Sequence, residues 1–390
     1  MESSLSKLHI LFVPSWYISS YQPYNGVYFQ EQAIALERMG HQVGIIYPRL
    51  NSIRRTARSF ARNLSKSRIT LDSEISTTII EGINTRSEKI NLTQWRILVN
   101  KLFADYTSRY GLPDIIHAQG AIWGGIAVSD LAERYRVPLV IGEHSSSFES
   151  AEFSKFTTVH LKKAYSRAAY LYGVCSHVSE KIRNYTSKDV AVIPNPVDHK
   201  SIYDMRRVEK DGKTIICIAT LREIKRVSLL IEAFALLVRD IPDINLVIVG
   251  DGEEKQKLKI QIKKLGVEGN VAMVGTKSRY EIAGILSSSD LLVLPSRFET
   301  FGIVLLEALC CGVPVLTTAM GGPVDFIRES EGAVVYTDEP QVLYKAMLNE
   351  LNRPFDREIL KSYARRFSLE NFGTELDGVY RRMVALASAS

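Results

Sequence analysis

Short runs of apolar, often β-branched residues alternate along the chain with segments in which apolar residues recur every three or four positions. The short runs are typical of strands buried on both faces, and the periodic segments indicate amphipathic helices. In the first half the predicted strands are His9–Val13, Gln42–Tyr47, Thr77–Ile80, Asp114–His117, Leu139–Ile141, Leu171–Val174 and Ala191–Ile193, and the predicted helices are Val27–Met39, Ile122–Tyr135 and Thr157–Ser166. In the second half the predicted strands are Thr214–Ala219, Asn245–Val249, Val271–Val274, Leu291–Leu294, Val313–Thr317 and Ala333–Val335, and the predicted helices are Ser228–Arg239, Glu254–Leu265, Tyr280–Ser287 and Ile303–Cys310. Repeated strand–helix–strand units predict parallel sheets with helices on both faces.

A polar stretch, 198–213, separates the two series and is expected to connect two domains. The predicted fold class is α/β, with two Rossmann-like domains, 1–199 and 200–390, that face a central cleft. A predicted C-terminal helix, 372–386, is expected to pack back on the first domain. Ligands of such sheets bind beyond the carboxyl ends of the strands, so the cleft is the expected site.

The composition is ordinary for a globular protein, since 46% of the 390 residues are hydrophobic and 24% are charged. No apolar run approaches the roughly 18 residues of a membrane span, and the first residues lead straight into a strand pattern, so we expect no signal peptide. The four cysteines lack the spacing of a metal site, and adjacent Cys310 and Cys311 are expected to be buried. These features predict a cytoplasmic location.

The net charge of +6 lies in the first half: residues 1–199 contain 23 basic and 17 acidic residues, whereas residues 200–390 are balanced. Much of the excess falls in 49–68, which has no acidic residue. If Ile53–Lys66 is helical, its apolar stripe faces away from most of the arginines. That pattern is typical of a helix lying on anionic lipid or on an acidic partner, and the alternative is a solvated helix packed on its own domain. Nucleic acid is disfavoured because no aromatic platform accompanies the charge.

A candidate anion site follows the strand Leu291–Leu294. The next helix is predicted to begin between Thr300 and Gly302, where free backbone N–H groups carry the positive end of the helix dipole. Gly302 would let a phosphate approach the backbone closely. Glu299 and Glu307 flank this point, and their carboxylates can accept hydrogen bonds from the hydroxyls of a sugar and a ribose. The alternative is an ordinary strand–helix junction with exposed acidic residues.

Two cations, Arg222 and Lys225, lie in the loop that opens the helix after Thr214–Ala219. Such cations can neutralise a diphosphate leaving group without a metal ion. The alternative is that both are solvated loop charges.

Candidate residues in the first half lie at predicted strand ends and at the start of the first helix. Asn25 and Gly26 would let the backbone approach a phosphate or an acceptor. His144 follows a strand, where it can exchange hydrogen bonds with a substrate hydroxyl, and the alternative is a locally bonded histidine. His117 and Gln119 lie at another strand end with a weaker signal.

Together these motifs resemble those of the retaining, sugar-nucleotide-dependent glycosyltransferases with the GT-B fold, of the family four or "glycosyl transferases group 1" type. Glu299 and Glu307 match the family's two glutamates with seven residues between them. The run EALCCGVPVLTTAMGG that follows is similar to the family's EAxAxGxPV run and glycine turn. IPNPVD at 193–198 and GVYFQEQAIALERMGHQV at 26–43 resemble its first-domain motifs. The resemblance covers nearly the whole chain.

The resemblance implies roles for individual residues. Glu299 would contact the transferred sugar, Glu307 the ribose, and Lys225 the diphosphate. The implied catalytic residues are His144, Glu299 and Lys225. The implied donor-binding residues are Gly26, Arg222, Lys225, Glu299, Thr300, Phe301, Gly302, Ile303 and Glu307, and the acceptor side is assigned to Asn25 and Gln119.

The resemblance also implies the reaction. A hexosyl unit would pass from a nucleoside-diphosphate sugar, a UDP-sugar in preference to a GDP-sugar, to a glycan or polyprenyl-lipid-linked acceptor in polysaccharide biosynthesis. Attack on the front face retains the anomeric configuration, and neither a metal nor another cofactor is expected. The basic helix Ile53–Lys66 would dock the first domain peripherally on the inner membrane face.

The chain departs from the family pattern around its phosphate-binding lysine. The usual Gly-Arg-Leu is Ala219-Thr220-Leu221, the glycine after Lys225 is Arg226, and a second histidine is replaced by Gln119. Either Arg222 supplies the missing cation or Lys225 alone holds the diphosphate.

Three other classes of protein are alternatives to a glycosyltransferase. A dinucleotide-dependent dehydrogenase needs a Gly-x-Gly-x-x-Gly turn, but the segment with Gly250 and Gly252 has Lys255 at the third position. A sugar-nucleotide epimerase on the same fold and a non-catalytic scaffold remain as alternatives, and the glutamate pair and Lys225 argue against the scaffold.

Overall fold

The computed structural model describes residues 6–18, 26–52, 67–70, 75–150, 153–200, 205 and 212–389, and the chain divides into two compact units. The first unit contains Met1–Pro196 together with Leu369–Ser390, and the second contains Val197–Ser368. The division therefore falls just before the expected boundary, and the C-terminal segment belongs to the first unit. Each unit is a sheet of mainly parallel strands with flanking helices, which confirms the α/β class and the two Rossmann-like domains.

The first unit contains an eight-stranded sheet in the order β3-β4-β2-β1-β5-β6-β7-β8. Its strands are β1 (His9–Pro14), β2 (Gln42–Ser52), β3 (Ser67–Thr70), β4 (Ser76–Asn84), β5 (Ile115–Gln119), β6 (Leu139–Glu143), β7 (Tyr170–Gly173) and β8 (Ala191–Val192). Neighbouring strands are parallel, except that β3 is antiparallel to β4. β5 and β6 are buried along their whole length, as expected for apolar strands covered on both faces.

Among the described residues of this unit, six α-helices precede the connection to the second. They are α1 (Val27–Arg38), α2 (Glu88–Tyr110), α3 (Ile126–Tyr135), α4 (Ser147–Ser150), α5 (Lys155–Arg167) and α6 (Ser176–Arg183). The helix predicted from Ile122 becomes regular only at Ile126. The preceding residues, Ala121–Gly125, form an irregular turn, since Ile122 (ψ 122°) and Trp123 (φ 75°, ψ −73°) lie outside the helical region.

The hydrophobic pattern does not predict helix α2, although it has 23 residues. Its buried positions are Asn91, Leu92, Trp95, Val99, Leu102, Phe103 and Tyr106. Ile90 and Ile97 are apolar but 53% and 62% exposed, whereas Asn91 is polar but buried, so the apolar stripe is interrupted and its period is obscured. Ser87 caps the N-terminus, where its hydroxyl accepts a hydrogen bond from the Ile90 N–H.

The second unit contains a six-stranded sheet, entirely parallel, in the order β11-β10-β9-β12-β14-β16, and a small parallel pair, β13 and β15. Its strands are β9 (Thr214–Ile218), β10 (Asn245–Val249), β11 (Val271–Gly275), β12 (Leu291–Leu294), β13 (Phe298–Glu299), β14 (Val315–Thr317), β15 (Met320–Gly321) and β16 (Gly332–Val334). Because β9, β12 and β14 are parallel neighbours, the loops that follow them lie side by side at one edge of the sheet.

The helices of the second unit cover this sheet. They are α7 (Val227–Asp240), α8 (Lys255–Leu265), α9 (Arg279–Ser287), α10 (Ile303–Cys310), α11 (Pro323–Phe326), α12 (Pro340–Asn352) and α13 (Arg357–Ala364), with 3₁₀ turns at Glu223–Lys225 and Arg365–Phe367. Leu230 and Phe234 of α7 share one hydrophobic core with Leu343 and Met347 of α12.

The C-terminal helix α14 (Leu369–Ser388) contacts α1 within the first unit. Gly373 permits this contact, because a Cβ there would lie 2.8 Å from the Met39 sulfur. The buried Tyr380 hydroxyl is hydrogen-bonded to Nδ1 of His117 at 2.7 Å, and the Tyr172 hydroxyl to Nε2 at 3.1 Å. In the described part of the chain, no helix is both long and apolar enough to cross a bilayer.

Candidate functional site

Two predicted site residues meet at the edge of the second sheet. Lys225 ends the turn after β9, and Glu299 lies in β13, after β12. The Lys225 ammonium donates to Oε1 of Glu299 at 2.5 Å, and the Ser296 hydroxyl donates to the same oxygen at 2.6 Å. The side chains of Lys225 and Glu299 are 22% and 12% exposed, so this charged pair is mostly enclosed but still accessible from one side.

The adjacent helix α10 begins at Ile303, as the hydrophobic pattern predicts, directly after the expected start region of Thr300 to Gly302. Gly302 precedes it with φ 81°, a left-handed conformation that suits glycine, and no side chain caps the first turn. Thr300 and Phe301 form the turn before it. The Phe301 ring lies 5.3 Å from the Phe326 ring within the protein, so only its backbone is suited to bind a ligand.

The glycine pair Gly321 and Gly322 packs directly against this turn. A Cβ on Gly321 would lie 2.3 Å from the Glu299 carbonyl oxygen, and one on Gly322 would lie 2.4 Å from the Thr300 carbonyl oxygen. The Gly322 N–H donates to the Glu299 carbonyl at 2.9 Å. The absence of side chains at these two positions therefore allows the glycine pair to pack against the backbone that carries Glu299, and the hydrogen bond from Gly322 holds it there.

Glu307 lies one turn further along α10 and is buried. A guanidinium nitrogen of Arg279, the first residue of α9, lies 3.4 Å from its Oε1. Each of the two glutamates thus has a different cationic neighbour. Nothing in the sequence pattern pairs Arg279 with Glu307, because the contact depends on the packing of α9 against α10. Arg222, the other predicted cation, is exposed, and its contact with a diphosphate stays a prediction.

In the first unit, Gly26 adopts φ 84° at the start of α1. A Cβ there would lie 3.1 Å from the Phe29 ring and 3.2 Å from the Trp16 carbonyl oxygen, so the turn is suited to glycine. Its neighbour Asn25 and the basic segment Ile53–Lys66 lie outside the described residues, and their predicted roles stay predictions.

His144 is buried among aromatic rings after β6. It stacks on Tyr28 at 5.3 Å between ring centroids and meets the edge of Phe29 at 4.9 Å. Burial lowers its pKa to about 3, an effect that Asn195 partly opposes, so the imidazole is neutral at pH 7. Neither ring nitrogen makes a full hydrogen bond to the described residues. A neutral, buried imidazole of this kind can both donate to and accept from a ligand hydroxyl.

The carboxylate of Glu143, which the sequence pattern did not single out, holds the backbone around His144. Oε1 accepts from the N–H groups of His144 and Ser145, both at 2.9 Å, and Oε2 accepts from Ala121 at 2.9 Å. One side chain therefore joins the loops after β5 and β6. Burial raises the pKa of Glu143 to about 7, although these three backbone donors favour the charged form.

Gln119 lies in the interior of the first unit, and its expected acceptor-side role stays a prediction. Its side chain is fully buried and donates to Oε1 of Gln32 at 2.5 Å, and Gln32 in turn donates to Oδ1 of Asn195 at 3.0 Å. In this structure the amide of Gln119 belongs to an internal network that joins β5, α1 and the segment after β8. His117, the other candidate on β5, is fully buried between Tyr172 and Tyr380.

Within the residues that the structure describes, no group of three or more His, Cys, Asp or Glu side chains is arranged to hold a metal ion. The four cysteines are buried free thiols, as expected for Cys310 and Cys311.

Comparison with known families gives matches over most of the chain. The model of "Glycosyltransferase Family 4" matches residues 26–201, and that of "Glycosyl transferases group 1" matches residues 202–367.

Individual relatives cover different shares of the chain. The N-acetyl-alpha-D-glucosaminyl L-malate synthase of Bacillus anthracis is 30% identical over 229 residues, which is 53% of this chain and 59% of the relative. The putative teichuronic acid biosynthesis glycosyltransferase TuaC of Bacillus subtilis is 25% identical over 356 residues, 87% of this chain and 88% of the relative. The crystal structure of Anabaena HepE in complex with UDP has a TM-score of 0.73 at 18% identity, covering 96% of this chain and 100% of that one, and so shares its fold.

Proposed function

We propose a function for this chain on the basis of its family, since it belongs to the glycosyltransferases of group 1 and family 4. The proposed reaction transfers a hexosyl unit from a nucleoside-diphosphate sugar, with retention of the anomeric configuration. A sugar-nucleotide epimerase and a non-catalytic scaffold are the alternatives that the test below separates from it.

The observation that carries this proposal is the contact between Lys225 and Glu299 beside the start of α10. The uncapped amides of the first turn and the Lys225 ammonium form a positive site that suits a diphosphate. Glu299 presents an acceptor to the hydroxyls of the attached sugar. A cation and a hydroxyl-binding acid in contact at a helix N-terminus fit the two halves of a nucleotide-sugar donor.

The proposed chemical step needs no enzyme nucleophile. The acceptor oxygen forms a bond to the anomeric carbon on the face from which the diphosphate oxygen departs, and the acceptor's proton passes to that departing oxygen. Lys225 and the α10 amides stabilise the charge that develops on the leaving diphosphate. Glu307 is assigned to the ribose hydroxyls, and His144 to a hydroxyl of the transferred sugar.

The donor and acceptor classes are inferred from the relatives. The Anabaena structure contains UDP, and the Bacillus subtilis relative is named for teichuronic acid biosynthesis. We therefore favour a UDP-sugar donor and a glycan or polyprenyl-linked acceptor of an envelope polysaccharide.

The charge pattern of the basic segment Ile53–Lys66 supports the proposal that the protein is cytoplasmic and binds the inner membrane face, where lipid-linked acceptors lie. Sedimentation with vesicles that contain anionic lipid tests this part. Neutralising Arg54, Arg55, Arg58 and Arg62 together should remove the binding, and unchanged binding would refute the docking role.

The decisive experiment is a panel of UDP- and GDP-sugars tested for thermal stabilisation, because a ligand that binds the native state raises the melting temperature. The stabilising sugar is then incubated with acceptors, and the anomeric configuration of the product is read by NMR. Transfer with retention supports the proposal. An epimerised donor without transfer would indicate the epimerase, and no saturable binding of any donor would indicate the scaffold.

A further inference from the structure

Arg226, directly after Lys225, has an unusual backbone. Its φ of 49° and ψ of 36° are left-handed, a conformation that costs energy for any residue with a Cβ. It ends the turn Glu223–Lys225 and begins α7, and its N–H donates to the Glu223 carbonyl at 2.9 Å. A non-glycine residue held here indicates that its side chain compensates for the strain.

The Arg226 guanidinium, with its side chain only 12% exposed, reaches backbone and side-chain acceptors after three strands. Nε donates to the Pro295 carbonyl at 2.9 Å, and Nη2 donates to the Ser296 carbonyl at 3.3 Å and the Thr318 hydroxyl at 2.6 Å. Nη1 donates to the Thr337 carbonyl at 3.1 Å and also pairs with the Asp338 carboxylate. One planar group thus joins the segments after β12, β14 and β16.

These contacts surround the pair formed by Lys225 and Glu299. The Arg226 backbone follows Lys225 directly, and its side chain binds the carbonyls of Pro295 and Ser296. Ser296 in turn donates its hydroxyl to Glu299 at 2.6 Å. Arg226 therefore restrains the loops on both sides of the contact, whereas its own guanidinium is occupied by protein acceptors.

We propose that Arg226 is a positioning residue that sets the separation of Lys225 and Glu299 for a diphosphate-sugar. This inference rests on the proposed function, since it concerns the same donor site. A lysine cannot replace the arginine, because an ammonium lacks the planar fork that reaches several carbonyls at once. A glycine relieves the backbone but leaves those carbonyls without a donor.

The test compares Arg226→Gly and Arg226→Lys with wild type. Arg353→Ala is the matched control, because Arg353 also binds a backbone carbonyl and an acid in the same unit, Glu329 and Glu350, without contacting Lys225 or Glu299. Dissociation constants for UDP and GDP are measured by calorimetry, and melting temperatures are measured on the same samples. Binding by Arg226→Gly is repeated with millimolar guanidinium ion, which can occupy the vacated space.

We expect Arg226→Gly to bind the nucleotide about tenfold more weakly or worse, as for lost charge-assisted hydrogen bonds, with guanidinium restoring part of the affinity. Arg226→Lys should also bind weakly and should melt lower than Arg226→Gly, because it keeps the strained backbone. Arg353→Ala should lower the melting temperature without changing the affinity.

Two results would overturn the inference. The first is that Arg226→Gly binds the nucleotide with wild-type affinity. The second is that Arg353→Ala loses as much affinity as Arg226→Gly when both variants show the same fall in melting temperature. Should Arg226→Gly not fold, wild-type affinity in Arg226→Lys would overturn it equally. Failure of the wild type itself to bind UDP or GDP would instead refute the proposed function.

Discussion

The Lys225 ammonium and the Glu299 carboxylate lie 2.5 Å apart although 74 positions separate them in the chain. The parallel arrangement of β9 and β12 brings their following loops together, so the contact is a product of the sheet topology. A charged pair of this kind, enclosed but still accessible, is suited to exchange its internal contact for a ligand.

Removing either partner of this pair should abolish most of the transfer. Lys225→Ala and Glu299→Ala are each expected to lower kcat/KM by about 100-fold or more, because each loses a contact to charge or hydroxyls in the transition state. Lys257→Ala, at an exposed lysine of the same unit, is the control. Near wild-type turnover in Lys225→Ala or Glu299→Ala, with a folded protein, would contradict the site assignment.

The glycine turn beside Glu299 should not tolerate a methyl group. Gly322→Ala places a Cβ 2.4 Å from the Thr300 carbonyl oxygen, and we expect a loss of about 1–3 kcal/mol in the free energy of unfolding, with reduced donor binding. Gly284→Ala in α9 meets no atom within 4 Å and should instead stabilise the helix by roughly 0.5–1 kcal/mol. Thermal unfolding of both variants checks the opposite signs, and equal melting temperatures would show that the turn can relax.

Glu143 should make the stability of the first unit depend on pH. Its folded pKa of about 7 lies above the ordinary value of 4.5, so the folded state binds the proton more tightly than the unfolded state. This contribution to the free energy of unfolding is fully present below pH 4.5 and is lost as the pH rises through 7. The total loss is roughly 3 kcal/mol.

The side chain introduced by Glu143→Gln cannot ionise. The melting temperature of the wild type minus that of the variant should therefore decrease as the pH rises from about 5 to about 8. Differential scanning calorimetry across that range measures it. Parallel curves for the two proteins would rule out titration of Glu143 within the range.

The hydroxyl of Tyr380 should hold the C-terminal helix in place. Tyr380→Phe leaves Nδ1 of the buried His117 without its partner, and we expect the free energy of unfolding to fall by about 1–3 kcal/mol. Tyr336→Phe removes the same atom from a side chain that is 61% exposed and should have little effect. If both substitutions shift the unfolding midpoint in denaturant equally, the hydrogen bond to His117 contributes no more than a surface hydroxyl.

Most strands could be predicted from the sequence because parallel strands buried on both faces are continuous apolar runs, as in Leu291–Leu294. The segment from Glu299 to Glu307 could be located because it spans the junction between this apolar strand and the helix that follows it. Helix α2 escaped prediction because Ile90 and Ile97 lie on its exposed side.

The supporting contacts of the site could not be predicted, since they depend on tertiary packing. Glu143 acts on three backbone N–H groups, two of them beside it in the chain and one more than 20 positions away. Arg226 appeared in the sequence only as a departure from the family's glycine, and the positions of its acceptors follow from the sheet order. The order of apolar and polar residues predicts strands and helices, whereas these contacts depend on which loops become neighbours in the folded protein.

The assignment of Leu369–Ser390 to the same unit as Met1–Pro196 has a consequence for biosynthesis. During translation the second unit, Val197–Ser368, is complete before helix α14 has left the ribosome. The synthesis of the first unit therefore begins before that of the second and is completed after it, and Tyr380 can reach His117 only once both intervening segments have been made. A protein shortened before Leu369 would keep a contiguous second unit but would leave the nascent first unit without its closing helix.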